Sequence, residues 1–401
     1  MIKTVSKNGK IMAKTGNEAI AEAMRQIEPD VVAAYPITPA TEIVQIFSQF
    51  VSDGIVKSKY IAVESEHSAL SATIAASAAG SRAMTGTSSQ GLCYMSEMLY
   101  IASGLRLPIV MTDVNRAISA PINIHADHSD TMSVRDSGWI QIYSENSQDA
   151  YDNIIQAVKI AERAMLPVIV TMDGFIISHC MEVVEVYRDI DVKKFVGIYK
   201  PKRYLLDIKN PYTLGSIDLQ DYYFEHRYQL AKAVVDSKKI ILDVAEEFKE
   251  LFGREYDLCE KYMIDDAEIA MIVLGSTAGT IKDEIKKIRE EGIKIGLLKI
   301  RIYRPFPVEQ VVENLKNIKV VAVMDRSDSC SGAFSPLYSD VVSSLYSHGI
   351  IDIKVVNYIY GLGGREINNL HIKNICDDLN KILLGIEKQP YEVKYVNIRK
   401  K

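Results

Sequence analysis

The chain alternates short apolar runs with stretches whose apolar residues recur every three or four positions. In the first half the apolar runs are VVAAY (31–35), YIAV (60–63), RAMTG (82–86), PIVMTD (108–113), WIQIY (139–143) and PVIVTM (167–172). Between them lie EAIAEAMRQI, PATEIVQIFSQF, SALSATIAASAA, QGLCYMSEMLYIASG and AYDNIIQAVKIAERAM. Apolar strands interleaved with amphipathic helices predict a doubly wound α/β domain with a mainly parallel sheet.

Residues 185–262 break this rhythm. They are rich in Tyr, Lys and Asp, with prolines at 201 and 211, until HRYQLAKAVVDSKKIILDVAEEFKELFG reads as one or two long helices. This is predicted to be a connecting segment that wraps on the first domain. A second α/β unit starts near residue 266 with AEIAMIVLGS and continues through IGLLKI, KVVAVMD and DIKVVNYI, each followed by a helical pattern. The expected organisation is therefore a first domain over 1–262, a second over 263–385, and a charged tail over 386–401 that ends in EVKYVNIRKK.

Composition narrows the class. A length of 401 residues with 48% hydrophobic and 25% charged residues is that of an ordinary soluble protein. The net charge of −5 gives no basic footprint for nucleic acid. No apolar run reaches the length of a membrane span. MIKTVSKNGKIMAKTG lacks the apolar core of a secretory signal, so a cytoplasmic location is expected. The five cysteines, Cys93, Cys180, Cys259, Cys330 and Cys376, lie far apart without a C-x-x-C. They are expected to be free thiols, and the chain to hold neither an iron–sulfur cluster nor a structural zinc by itself.

In open α/β sheets, ligands sit beyond the carboxyl ends of the strands. Four strand ends carry small, polar groups. VVAAY ends in PITPAT, where Thr38 is expected to cap a helix and Pro39 to open it, with hydroxyl and helix amides facing a small anion. YIAV ends in ESEHS, where Glu64 and Glu66 lie two apart and so point to opposite sides. RAMTG ends in TSSQG, with three hydroxyls before Gln90-Gly91 opens a helix, and without a Walker pattern. PIVMTD ends in VNRA, where Arg116 can pair a carboxylate in a bidentate fork. His125, Asp127 and His128 hint at a metal, but H-A-D-H-S-D fits no ordinary site, and a loop of capping residues is expected instead.

Taken in order, YPITP, S-E-x-x-A, T-S-S-Q-G-L, R-A and D-H-S-D resemble the alpha subunit of the pyruvate:ferredoxin oxidoreductase family. R-I-Y-R-P-F-P (301–307), V-M-D-R-S (323–327) and Y-G-L-G-G-R-E (360–366) resemble that subunit's second domain. The loop VMDRSDSCSGAF departs from the family in lacking S-F-G after Asp-Arg, and Ser88 stands where alanine is common. The resemblance implies a thiamine diphosphate-binding fold of the pyrimidine-binding type, followed by a transketolase C-terminal-like domain. It implies oxidative decarboxylation of a 2-oxo acid with coenzyme A and ferredoxin. It places Glu66 on N1′ of the aminopyrimidine, where a proton favours the imino tautomer at N4′. It places Thr38 and Arg116 on the substrate carboxylate, and Pro36, Ile37, Thr87, Ser88, Ser89 and Gln90 around the cofactor. No G-D-G…N motif for magnesium and pyrophosphate is visible. By the family pattern a beta subunit carries these, and gamma and delta subunits carry the [4Fe–4S] clusters, so the chain is expected to be half of an active site. T-S-S-Q-G favours pyruvate over 2-oxoglutarate or 2-oxoisovalerate, and Thr38 disfavours oxalate. A non-catalytic scaffold subunit and a transketolase-like transferase are the competing readings.

Overall fold

A computed structural model describes residues 9–399. The first eight residues, on which the absence of a secretory core partly rests, and Lys400–Lys401 of the tail lie outside the described residues. The chain opens with β1 (Gly9–Lys14) and α1 (Gly16–Ile27). A capping box starts α1: Thr15 Oγ1 accepts from the Glu18 amide at 3.2 Å, and the Thr15 amide donates to Glu18 Oε2 at 2.8 Å. There follow β2 (Val31–Ala34), α2 (Thr41–Ser52), β3 (Lys59–Ala62), α3 (Glu66–Ala78) and β4 (Ala83–Thr87). The next helix is broken at Met95 into α4 (Gln90–Tyr94) and α5 (Ser96–Gly104). Then come β5 (Val110–Asn115), α6 (Ser129–Ser133), β6 (Ile140–Tyr143), α7 (Ser147–Ala164) and β7 (Val168–Asp173).

The connecting segment holds β8 (Glu182–Tyr187), α8 (Asp189–Val196) and a single helix, α9 (Gln220–Phe252), of 33 residues. Ile241, Val244, Ala245, Phe248 and Phe252 recur at helical spacing and bury one face of α9, which packs on α7. Gly253 ends it in the left-handed conformation, φ 74°. The second unit contains β9 (Cys259–Tyr262), β10 (Ile269–Val273), α10 (Thr277–Glu290), β11 (Ile295–Ile300), β12 (Ile302–Arg304), α11 (Val308–Leu315), β13 (Val320–Asp325), α12 (Pro336–Ser347), β14 (Lys354–Ile359), α13 (Asn369–Leu383) and β15 (Lys394–Tyr395).

The first sheet has the order β12-β6-β7-β5-β4-β2-β3, parallel except for β12. The strands β4, β5 and β7 are buried along their whole length, which is why they read as continuous apolar runs. Helices α1 and α7 cover one face, with Ile20, Met24, Ile154 and Val158 in its core. The other face is covered by α3, α4 and α5, with Leu70, Leu92, Leu99 and Trp139. Strand β2 pairs in parallel with β3 on one side and β4 on the other. The winding therefore reverses at β2, and the carboxyl ends of β2 and β4 flank the switch point at which open α/β sheets bind their ligands.

The second sheet runs β15-β14-β13-β10-β11-β9, with α10 and α13 on one face and α11 and α12 on the other. Three details differ from the sequence reading. Strand β9 pairs antiparallel with β11, so the second sheet begins at Cys259, ahead of the expected boundary at 262. Strand β12 leaves that unit and joins the first sheet beside β6, because Ile302 and Tyr303 are fully buried there. Within the tail, Lys394 and Tyr395 add an edge strand to β14, with Lys394 Nζ on Asp378 at 2.9 Å. Strand β1 was also not expected. It pairs with β8 from residues 182–187, outside both main sheets.

The two units share a buried polar seam. Asp173, at the end of β7, accepts from His128 Nε2 at 2.7 Å, Arg326 Nη1 at 3.0 Å and the Ser276 amide at 3.0 Å. Arg301 donates to Asn153 and Gln156 of α7. The motifs at 301–307, 323–327 and 360–366 thus face the first domain.

Candidate functional site

The four chemistry-bearing stretches leave neighbouring strands at one end of the first sheet, where contacts join them in turn. Past β3, Ser65 caps α3, its Oγ accepting from the Ser68 amide at 3.2 Å. Glu66 is the first residue of the helix. Glu64 is exposed and bonds the Ser68 hydroxyl, whereas Glu66 is only 8% exposed. The sequence reading that a single one of the two faces inward is thus met by Glu66. Among the described residues, nothing hydrogen-bonds or ion-pairs with its carboxylate. A nearly buried carboxylate without a partner is costly, and a helix N-terminus offsets a fraction of that.

Opposite it, β4 ends at Thr87, whose buried hydroxyl also lacks a partner among the described residues. Gly91 brings the α4 backbone against both. A Cβ there would lie 2.4 Å from Thr87 Oγ1 and 2.8 Å from Glu66 Oε1. Ser88 and Ser89 turn the other way. Ser88 Oγ donates to the Val114 carbonyl and Ser89 Oγ to the Ala117 carbonyl, both at 2.7 Å. Ser89 sits at φ +49°, a conformation a residue with Cβ rarely adopts, and its amide donates to Asp130 at 3.1 Å. The two serines shape the loop while Gln90 stands half-buried at its exit.

At PITPAT the capping expectation is corrected. Helix α2 begins at Thr41, its N-cap is Ala40, and no side chain caps it. Residues 38–40 form a turn held from outside instead. The Thr38 carbonyl accepts from Arg116 Nη1 at 2.9 Å and the Pro39 carbonyl from Asn17 Nδ2 at 3.0 Å. Pro36 and Thr38 are exposed, and Ile37 packs on the core. Arg116 itself is 7% exposed. Its Nε donates to the Asn123 carbonyl at 3.2 Å, and among the described residues Nη2 has no partner. Burial pulls the Arg116 pKa down from its usual value.

Two buried carboxyls beneath this surface were not singled out from the sequence. Asp130 accepts from the amides of Ser89, Arg116 and Thr131 and from Asn115 Nδ2. Burial pushes Asp130 up to about 6, and burial together with the Asp130 charge raises Asp113 beside it. The signal was faint: Asp113 closes the apolar run PIVMTD, and Asp130 closes D-H-S-D, where it reads as a capping residue. In the His125–His128 stretch the expected caps are absent: α6 starts after His128 without a side-chain cap, and His128 bonds Asp173 instead. Asp127 accepts from the Ser129 and Gly363 amides, and no metal-binding group of side chains occurs among the described residues. No helix among the described residues is long and apolar enough to cross a membrane.

Residues 22–246 match the family model described as pyruvate flavodoxin/ferredoxin oxidoreductase, thiamine diphosphate-binding. Residues 267–372 match pyruvate:ferredoxin oxidoreductase core domain II. The chain belongs to the pyruvate:ferredoxin oxidoreductase family. It is 54% identical to the pyruvate synthase subunit PorA of Thermotoga maritima, over 94% of this chain and 97% of that one. It is 42% identical to the ketoisovalerate oxidoreductase subunit VorA of Pyrococcus abyssi, over 96% and 97%. Among solved structures, 2-oxoglutarate:ferredoxin oxidoreductase from Magnetococcus marinus superposes with a TM-score of 0.70 at 21% identity, covering 93% of this chain and 65% of that one. A split-gene transketolase follows at 0.55 and 12%, covering 92% and 98%. These two likenesses speak for the fold alone. The chain is thus a PorA-like alpha subunit of this oxidoreductase family.

The cradle gives a direct expectation. Gly91→Ala should displace the Glu66 carboxylate and the Thr87 hydroxyl, because its Cβ would lie within 3 Å of both side chains. Misplacement of a reacting group by about 1 Å costs on the order of 10² in rate. Turnover of the assembled enzyme should fall accordingly, with little change in helix content by circular dichroism, since alanine favours a helix.

Proposed function

We propose that this chain is the alpha subunit of a multi-subunit pyruvate:ferredoxin oxidoreductase and supplies the aminopyrimidine side of a thiamine diphosphate site. The reaction converts pyruvate and coenzyme A to acetyl-CoA and CO2, and the two electrons reduce ferredoxin. The observation that carries the reading is the nearly buried Glu66 carboxylate, unpartnered at the switch point and held against Thr87 and Gly91. An orphan carboxylate facing an orphan hydroxyl over a bare glycine backbone fits a flat heteroaromatic ring with a basic nitrogen.

When bound, the cofactor supplies the carbanion-stabilising chemistry of the decarboxylation. Glu66 holds a proton against N1′ of its ring. Arg116, with Nη2 unengaged, supplies the charge that binds the 2-oxo acid carboxylate, and the exposed Thr38 hydroxyl adds a donor. The prolines and the Arg116 bond hold Thr38 in a fixed turn. Pro36, Ile37, Thr87, Ser88, Ser89 and Gln90 form the wall around the cofactor, the serines by shaping the loop. A beta subunit is proposed to hold the pyrophosphate and Mg2+, and gamma and delta subunits the [4Fe–4S] clusters, in the cytoplasm.

The 42% identity to a ketoisovalerate relative favours a second reading, a larger 2-oxo acid. The test is to purify the complex with its co-purifying chains and follow coenzyme A-dependent viologen reduction. Pyruvate should exceed 2-oxoisovalerate and 2-oxoglutarate by at least about tenfold in kcat/KM, the least that pocket size discriminates. A reversed order would replace pyruvate while leaving the reaction class.

A further inference from the structure

The loop that follows Arg116 runs to the second domain, where the turn at Gly361–Gly364 grips it. Asn123 Nδ2 donates to the Gly363 carbonyl at 2.9 Å. The Gly363 amide donates to Asp127 Oδ2 at 3.1 Å, and the Gly364 amide to the Ala126 carbonyl at 2.8 Å. So close an approach needs both glycines. A Cβ on Gly363 would lie 2.4 Å from Asn123 Nδ2, one on Gly364 would lie 2.4 Å from His125 Cβ, and their φ angles are +58° and +76°. On its other side, the Asn123 carbonyl accepts from Arg116 Nε at 3.2 Å, and Arg116 Nη1 donates to the Thr38 carbonyl at 2.9 Å. One residue therefore joins the second domain to the guanidinium, and through it to Thr38.

We propose that Asn123 is a positioning residue through which the second domain aims Arg116 at the carboxylate of the 2-oxo acid. The inference rests on the proposed role of Arg116. A guanidinium is planar and presents its donors in a fixed fork. With Nε and Nη1 each tied to a backbone carbonyl, its plane cannot turn, and the free Nη2 points one way. If the Asn123 side chain lets go of Gly363, the Asn123 carbonyl can drift, and Arg116 loses its orientation while keeping its charge.

The experiment uses the assembled complex and three variants. Asn123→Ala removes the donor to Gly363 but keeps the main-chain carbonyl. Asn123→Asp keeps an acceptor for the His125 amide, at 2.8 Å in the native chain, but cannot donate to Gly363. Both should raise KM for pyruvate about tenfold, the worth of one hydrogen bond to a charged group, with a smaller change in kcat. Hydrogen exchange at the Gly364 and Ala117 amides should quicken in both. Arg116→Ala, measured beside them, should raise KM by more. If Arg116→Ala leaves KM unchanged, the substrate reading and this inference fall together. If Arg116→Ala raises KM while both Asn123 variants keep the native value, the inference falls alone. A lowered thermal midpoint with an unmoved KM would mark Asn123 as merely structural and equally overturn it.

Discussion

Glu66→Gln should lower turnover of the assembled enzyme by about 10² to 10⁴-fold, the usual worth of a positioned proton-transfer group, without loosening the complex. The substitution keeps the shape of the side chain and removes its ability to ionise. It breaks no bond within the chain, because among the described residues the carboxylate has none. What little it costs is the favourable placement of a negative charge at the start of α3, about 0.3–1 kcal/mol, and relief of an uncompensated, nearly buried charge offsets that. Stability should therefore stay close to native while rate collapses, a separation that few substitutions of nearly buried groups give. Gel filtration with pyruvate-dependent dye reduction checks both halves. A fully active Glu66→Gln complex would remove Glu66 from the chemistry. It would also restore the scaffold reading, in which the fold is kept and the reaction lies elsewhere.

The parts of the molecule that were legible in the sequence are those governed by local pattern. The strands from VVAAY to PVIVTM appear within two residues of their expected places; β4 to β7 are buried on both faces and leave continuous apolar runs, whereas β3 is a largely exposed edge strand. The adjacency of the four strand ends was legible too, since β5, β4, β2 and β3 lie side by side in the sheet. The rest depended on contacts distant in sequence. Thr38 looks like a cap, yet the Thr38 and Pro39 carbonyls are claimed by Arg116 and Asn17, and α2 starts three residues later at Thr41. GKIMAK became a strand because it pairs with residues 182–187, and little in its own composition signals this. Ser88 and Ser89 read as cofactor donors, while their hydroxyls satisfy carbonyls of the neighbouring strand and loop. Asp173 and Arg326 were each visible at the end of an apolar strand. That they would meet, with His128 between the two domains, follows from the docking of two sheets and from no spacing along the chain.

That meeting sets the second large expectation: Asp173→Ala should destabilise the chain by about 3–5 kcal/mol. The aspartate is 1% exposed, as is His128, and Arg326 is 2% exposed. Removing the carboxylate leaves a guanidinium sealed between the domains without its counter-charge, and takes away the acceptor of the Ser276 amide at the start of α10. Asp173→Asn should cost less, since an amide oxygen still accepts from Ser276. The pH dependence carries a definite sign. Burial opposes ionisation of Asp173, but the charge of Arg326 and the bonds from His128 and Ser276 outweigh it and hold the pKa well below the usual carboxylate range. The stabilisation is thus complete above the unfolded value, about pH 4, and is lost as pH falls below it. Denaturant midpoints should show a wide gap between native and Asp173→Ala chains at neutral pH, narrowing as the medium is acidified below about pH 4. A constant gap across that range would assign the loss to packing alone. The same gap bears on function, because this seam holds the second domain in the place from which its glycine turn reaches Asn123. A chain with a weakened seam should therefore lose affinity for the 2-oxo acid before it loses its fold.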